Sequence, residues 1–159
     1  MVLDEEDWGL DHGTWSVLAH LFPAADVPVV QLSIRSDAPM EEHLEIGRSL
    51  APLRDEGVLV LGSGNVVHNL SRIEWGNRTG GTDWARRFDE EATRLMLSEP
   101  ATVASLVGHP DWDLAVPTPE HFQPLLYVAG LADATDATVS TFARGCTLGS
   151  LSMTSFVAA

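Results

Sequence analysis

Val58-Leu59-Val60-Leu61-Gly62-Ser63-Gly64-Asn65-Val66-Val67-His68-Asn69-Leu70 is the stretch on which the reading of this chain turns. Its first four residues are branched and apolar, the mark of a strand buried on both faces. The run breaks at Gly62-Ser63-Gly64-Asn65, where glycines and an asparagine permit backbone angles that other residues resist. His68 follows at once, beside Asn69. A titratable imidazole just past the end of a buried strand is where an open α/β sheet places its ligand chemistry.

Working back from this stretch, Val27 to Ile34 reads as a second strand, with Pro28 near its start. Asp37-Ala38-Pro39 introduces a helix between the two. Glu41 and Glu42 favour the positive end of its dipole, Leu44, Gly47, Leu50 and Ala51 recur at helical spacing, and Gly57 closes it. Strand, helix and strand make a βαβ unit with parallel strands. Ser16 to Phe22 reads as a short helix stopped by Pro23, preceded by the turn-like Asp11-His12-Gly13. The expected fold is α/β, a mostly parallel central sheet with helices on both faces.

Working forward, Glu74 to Asp83 is a polar loop, Trp84 to Leu97 a helix and Pro100 to Val107 a shorter one. Thr118 as cap, Pro119 at the first helical position and Glu120 in the first turn start another helix, which places His121 at its N-terminus. Thr138 to Ala143 and Ser150 to Val157 read as two β runs paired across Gly145 to Gly149. No repeat or linker divides the chain, so residues 1–159 are expected to form a single domain.

The net charge of -14 argues against nucleic acid, and all nine basic residues are arginine. Without lysine there is no Schiff base and no phosphate-loop lysine. No apolar run is long enough to span a bilayer, so no membrane association is expected. Asp4-Glu5-Glu6-Asp7 is unlike a signal peptide, and a lone Cys146 forms no internal disulfide; a cytoplasmic location fits both.

Six histidines divide by setting. His20 and His43 fall on solvent-facing helix positions, and His109 precedes a proline in a loop; none of the three is expected to act. His12, His68 and His121 each sit at the edge of an element, beside Asp11, Asn69 or Glu120, and could converge on a metal or a proton-transfer site. No stand-alone zinc motif is present. Gly62-Ser63-Gly64-Asn65 lacks the spacing of a phosphate cradle, and Gly13-Thr14-Trp15-Ser16-Val17 is no nucleophile elbow.

Five blocks follow one another in a known order: Trp8 to Trp15, Val29 to Ile34, Gly62 to Leu70, Thr118 to Tyr127 and Gly149 to Met153. Together they resemble the B-type catalytic chains of the class III extradiol ring-cleavage dioxygenases, in the DOPA 4,5-dioxygenase-like branch. The resemblance covers the C-terminal part of that family's domain. Its Gly-His-Gly-Ser-Pro and Ala-His-Trp motifs, which carry metal-binding histidines, do not occur here. The resemblance implies that His121 is a metal ligand and that His68 is a ligand or the acid/base. It implies that His12 lines a catechol pocket and assists proton transfer. The implied cofactor is non-haem Fe(II) or Zn(II), and the implied partners are a catechol-type substrate and dioxygen. Missing N-terminal strands would leave apolar surface bare, so a homo-oligomer or a complementing N-terminal segment is expected. The rival readings are a non-catalytic truncated remnant or a subunit that needs a partner chain to complete the metal site, and an α/β hydrolase or phosphorylase using zinc on a related sheet.

Overall fold

The computed structural model describes residues 9–159; the acidic run Asp4 to Asp7 and Trp8, which heads the first motif block, lie outside the described residues. The chain divides into two compact units, Met1–Ile34 and Arg35–Ala159.

In the first unit a side-chain cap decides where the helix begins. Asp11 Oδ1 accepts the Thr14 N–H at 2.8 Å, which satisfies a donor that the first helical turn leaves orphaned. Helix α1 therefore runs His12–Leu21, one turn earlier than apolar spacing suggests. The same bond holds the Asp11 carboxyl below the usual carboxylate range. Gln31 ties back to this cap, accepting the Asp11 N–H at 3.1 Å and donating to Asp11 Oδ2 at 3.2 Å. Residues 27–34 are not a strand. Val30 is 80% exposed, and among the described residues no ladder forms along this apolar run.

In the second unit α2 spans Met40–Ser49, with Glu41 and Glu42 in its first turn as the dipole favours. A 3-10 turn, Ala51–Arg54, carries the chain to Gly57, whose φ of +80° ends the segment in the left-handed region open to glycine. Residues 58–61 are again not a strand. Leu59 is 68% exposed, and among the described residues the backbone of Leu59 to Gly62 makes no hydrogen bond. The mostly parallel central sheet is thus not found among the described residues. An apolar run becomes a strand only where a neighbour pairs its N–H and C=O groups.

Helix α3, Asp83–Ser98, follows and is the backbone of the core. Ala85, Phe88, Ala92, Leu95 and Met96 repeat at helical spacing and are buried, while Arg86, Arg87 and Glu90 face outward as expected. A 3-10 segment, Pro100–Gly108, and the short α4, Trp112–Ala115, bring Val103, Leu106 and Ala115 onto that face. Another 3-10 turn, Pro119–His121, leads into α5, Gln123–Ala134. Phe88, Trp112 and Phe122 meet as an aromatic triangle with centroids 5.2–6.0 Å apart.

Strands β1, Val139–Ala143, β2, Cys146–Thr147, β3, Leu151–Ser152, and β4, Ser155–Ala158, complete the unit. β1 pairs with β4 and β2 with β3, both antiparallel, so the expected pairing holds for Ser155–Ala158, while the start of that run, Leu151–Ser152, pairs with β2 instead. No helix among the described residues is long and apolar enough to cross a membrane.

His43 corrects an expectation. Periodicity puts it toward solvent, yet it is fully buried between α2 and α5, its Nδ1 3.1 Å from the Tyr127 hydroxyl and its Nε2 without a hydrogen-bond partner among the described residues. The side of α2 that carries it is covered by α5, which helical spacing within α2 alone does not reveal. Burial lowers the His43 pKa from its usual 6.5. The unfolded chain then binds the proton more readily, so this contribution to stability is full above about pH 6.5 and fades as the pH falls below it. Urea unfolding between about pH 7.5 and pH 5 should show a smaller loss of stability for His43→Leu than for the parent. An equal loss in both would exclude His43 as its source.

Candidate active site

The apolar pair Val66-Val67 anchors the loop that carries His68, Val67 being wholly buried. From there the chain is gripped on both sides of the imidazole. Val67 O accepts the Ser152 N–H at 2.9 Å, and the Asn69 N–H donates to Ser150 O at 3.1 Å. His68 and Leu151 form an antiparallel bridge, and the His68 N–H donates to Ala115 O at 2.9 Å. Ser150 Oγ donates to Asn69 O at 2.7 Å, while Asn69 Nδ2 reaches Leu114 O at 2.8 Å. His68 cannot drift without breaking several of these bonds.

His121 arrives from the opposite side. Pro119 starts the 3-10 turn that carries it, and Phe122, 1% exposed, plugs the core immediately after it. The glycine loop clasps this turn: the Asn65 N–H donates to His121 O at 2.8 Å. A Cβ on Gly64 would stand 2.2 Å from that same oxygen, so only glycine admits this approach. The His68 and His121 rings stack, with centroids 3.7 Å apart and planes 19° from parallel. Gly64→Ala is therefore expected to push loop and turn apart and abolish the stack, at a cost of about 1–3 kcal/mol. Ring-to-ring nuclear Overhauser contacts and denaturant unfolding check both effects; an unchanged contact would contradict the clasp.

Burial first, and then the neighbouring His121, lowers the His68 pKa from its usual 6.5, with Glu120 opposing. The neutral imidazole is the favoured form. Thr118 Oγ1 donates to Glu120 Oε1 and holds that carboxyl below the usual range.

Two imidazoles side by side are good donors for a borderline metal ion. As a complete centre the described residues do not fit one, because no group of three or more His, Cys, Asp or Glu side chains among them is placed to hold a metal. Catalytic sites ordinarily use three protein ligands. Moreover, the in-plane lone pairs of nearly parallel rings run alongside one another, so the rings must splay to meet on one ion.

The other sequence candidates are placed as follows. His12 lies exposed on the first turn of α1, in the first unit, directly after its Asp11 cap. His20 is exposed, its Nδ1 2.8 Å from Ser16 O. His109 packs edge-on against Phe88, its Nδ1 accepting the Asp111 N–H at 3.0 Å. Burial pushes the Cys146 thiol up to about 11, which makes it an unreactive nucleophile near neutral pH. Sequence reasoning passed over Asn65, Ser150 and Ser152, whose role is to hold His68 and His121 in place. Asn65 lies close to His68 in sequence, but Ser150 and Ser152 sit in the separate Gly149 to Met153 block, and only the fold brings them to the pair.

Residues 1–152 match the family described as the catalytic LigB subunit of aromatic ring-opening dioxygenase. The chain belongs to that family. A relative from Escherichia coli (strain K12), described as 4,5-DOPA dioxygenase extradiol, is 45% identical over 98% of this chain and 58% of its own length. Another of the same description, from Beta vulgaris, is 40% identical over 78% of this chain and 47% of its own. The crystal structure of an uncharacterised Escherichia coli K12 protein superposes with a TM-score of 0.88 at 43% identity. It covers 98% of this chain and 65% of that one. The resemblance read from the five motif blocks is thereby borne out, and the chain is an extradiol dioxygenase relative of class III. It spans about half the length of these curated relatives.

Proposed function

We propose that this chain takes part in the metal-dependent extradiol cleavage of a catechol-type ring by dioxygen. The observation that carries the reading is the His68–His121 pair, two imidazoles at 3.7 Å on the two motif blocks that the family resemblance marks. In this reading His68 and His121 are ligands to Fe(II) or Zn(II) and His68 also serves as acid/base; for His12, in the first unit, the proposed role is the assistance to proton transfer that the resemblance implies. Held by His68 and His121 and completed by further donors, such an ion would supply a common binding point for a catechol and dioxygen.

The chain's own groups suit the proton work. A catechol must lose a proton to bind as an anion, and a neutral imidazole can accept it. Burial favours that neutral form at His68. Glu120, next to His121, keeps a negative charge close to both rings and opposes the lowering of the His68 pKa.

The donor count limits what the chain does unaided. Two imidazoles without a third side chain among the described residues predict weak metal binding and negligible ring cleavage for the isolated chain. The missing donors would come from a complementing N-terminal segment or from another copy in a homo-oligomer. The bare apolar runs 27–34 and 58–61 support such a partner, each within its own unit. The alternative, a non-catalytic partner chain or remnant, is favoured by the same donor count and is separated by experiment. Calorimetric titration of the isolated chain with zinc should give weak binding, weakened further by about 10-fold or more in His121→Ala. Tight stoichiometric binding unaffected by that substitution would sink the assignment of the pair.

A further inference from the structure

One buried group in the second unit has no part in the chemistry above. Asp89 lies on the apolar stripe of α3, between Ala85 and Ala92, and is only 4% exposed. Among the described residues no arginine or histidine forms an ion pair with it, although α3 carries Arg86 and Arg87 close by. Its two oxygens are instead shared between two hydroxyls of one segment. Ser152 Oγ donates to Asp89 Oδ1, and Thr154 Oγ1 donates to Oδ2 at 2.9 Å. The segment closes on itself as well, since the Thr154 N–H donates to Ser152 Oγ at 3.0 Å. Thr154 Oγ1 accepts the Gly145 N–H at 3.1 Å, pinning the turn before β2.

A buried carboxyl with no opposite charge is costly, and a hydrophobic residue would pack that stripe more cheaply. What it secures is the strand that holds His68. Ser152 is the residue whose N–H reaches Val67 O and whose carbonyl accepts Asn65 Nδ2 at 2.8 Å. Asn65 in turn donates its own N–H to His121 O. One buried side chain therefore stands behind both histidines through a single serine.

We propose that Asp89 is a positioning residue that fixes the His68–His121 pair, acting through Ser152 and Thr154 on the backbone at Val67 and Asn65. It rests on the reading of that pair as the functional site, but the arrangement it explains exists without metal or substrate. Loss of Asp89 frees residues 152–154, loosens Val67 and Asn65 together, and lets the two rings separate while the helices stay folded.

The test is made on the whole chain, isotope-labelled, with no metal added. It reads the nuclear Overhauser contact between the His68 and His121 rings and the exchange rate of the Ser152 amide. Asp89→Ala should abolish the ring contact and raise Ser152 exchange by about 10-fold or more, with helical circular dichroism retained. Asp89→Asn keeps an oxygen for Ser152 and should restore most of the contact. Ser152→Ala leaves the carboxyl and cuts the link, so it should reproduce the loss if Asp89→Ala fails to fold. Thr93→Val, which removes a buried, unpartnered hydroxyl from the same helix, should change neither readout. A full ring contact in Ser152→Ala, or an equal loss in Thr93→Val, would overturn the proposal. Neither readout involves dioxygen or a catechol, so failure of the proposed reaction would leave this result standing.

Discussion

Gly130→Ala is expected to destabilise the second unit by about 2 kcal/mol or more, lowering Tm by roughly 4–8 °C. The reason is backbone against backbone. A Cβ at Gly130 on α5 would stand 2.0 Å from Leu44 O and 2.9 Å from the Arg48 nitrogen on α2. A Cβ at Gly47 would likewise stand 2.4 Å from Tyr127 O, so the two helices touch through glycines on both sides. Rigid carbonyls cannot rotate away as a side chain could, and the helices must separate. Alanine's better helix propensity returns only about 1 kcal/mol. Separation would also strain the Arg48–Asp133 ion pair at 2.6 Å and uncover His43. Gly108→Ala, where a Cβ meets nothing within 4 Å, is the matched control and should be nearly neutral. Thermal melts of the two variants beside the parent decide the point; equal Tm values would mean that α2 and α5 are not in close contact.

The second large effect concerns activity. The isolated chain, reconstituted with Fe(II), should turn over DOPA or protocatechuate at least about 100-fold more slowly when alone than when complemented. The donor deficit is one ground for this and the bare apolar runs are another. Val58, Leu59 and Leu61 are 45%, 68% and 39% exposed, with no ladder along them among the described residues, a surface that a folded chain ordinarily covers. The chain also spans only 58% of the Escherichia coli relative. Light scattering should accordingly find self-association of the chain alone, relieved when the uncovered part of that relative is supplied. A monodisperse monomer at working concentration would count against the bare runs as an interface.

How much of this was legible in the sequence differs by element. The helices were readable because their signals are local. Glu41, Glu42, Leu44 and Gly47 place α2, and the apolar stripe from Ala85 to Met96 places α3. That the C-terminal β runs pair was readable from their composition, but not that the hairpin of β2 and β3 lies between β1 and β4. The parallel sheet was not, because Val58 to Leu61 has strand composition and yet pairs with no strand among the described residues. Composition proposes a strand; a neighbour makes it one. The site was legible as residues and not as geometry. His68 and His121 stood out by their motif blocks, whereas their stacking depends on contacts from Ser150 to Ser152, far along the chain. His43 misled because its burial comes from α5.

The most direct measurement is oxygen uptake with DOPA by the Fe(II)-reconstituted chain, alone and mixed with the part of the Escherichia coli relative that it does not cover. Uptake should stay at background for the chain alone, appear in the mixture, and disappear again when the mixture contains His121→Ala. Robust uptake by the chain alone, or uptake in the mixture that survives His121→Ala, would contradict the assignment of His68 and His121 as part of a shared dioxygenase site.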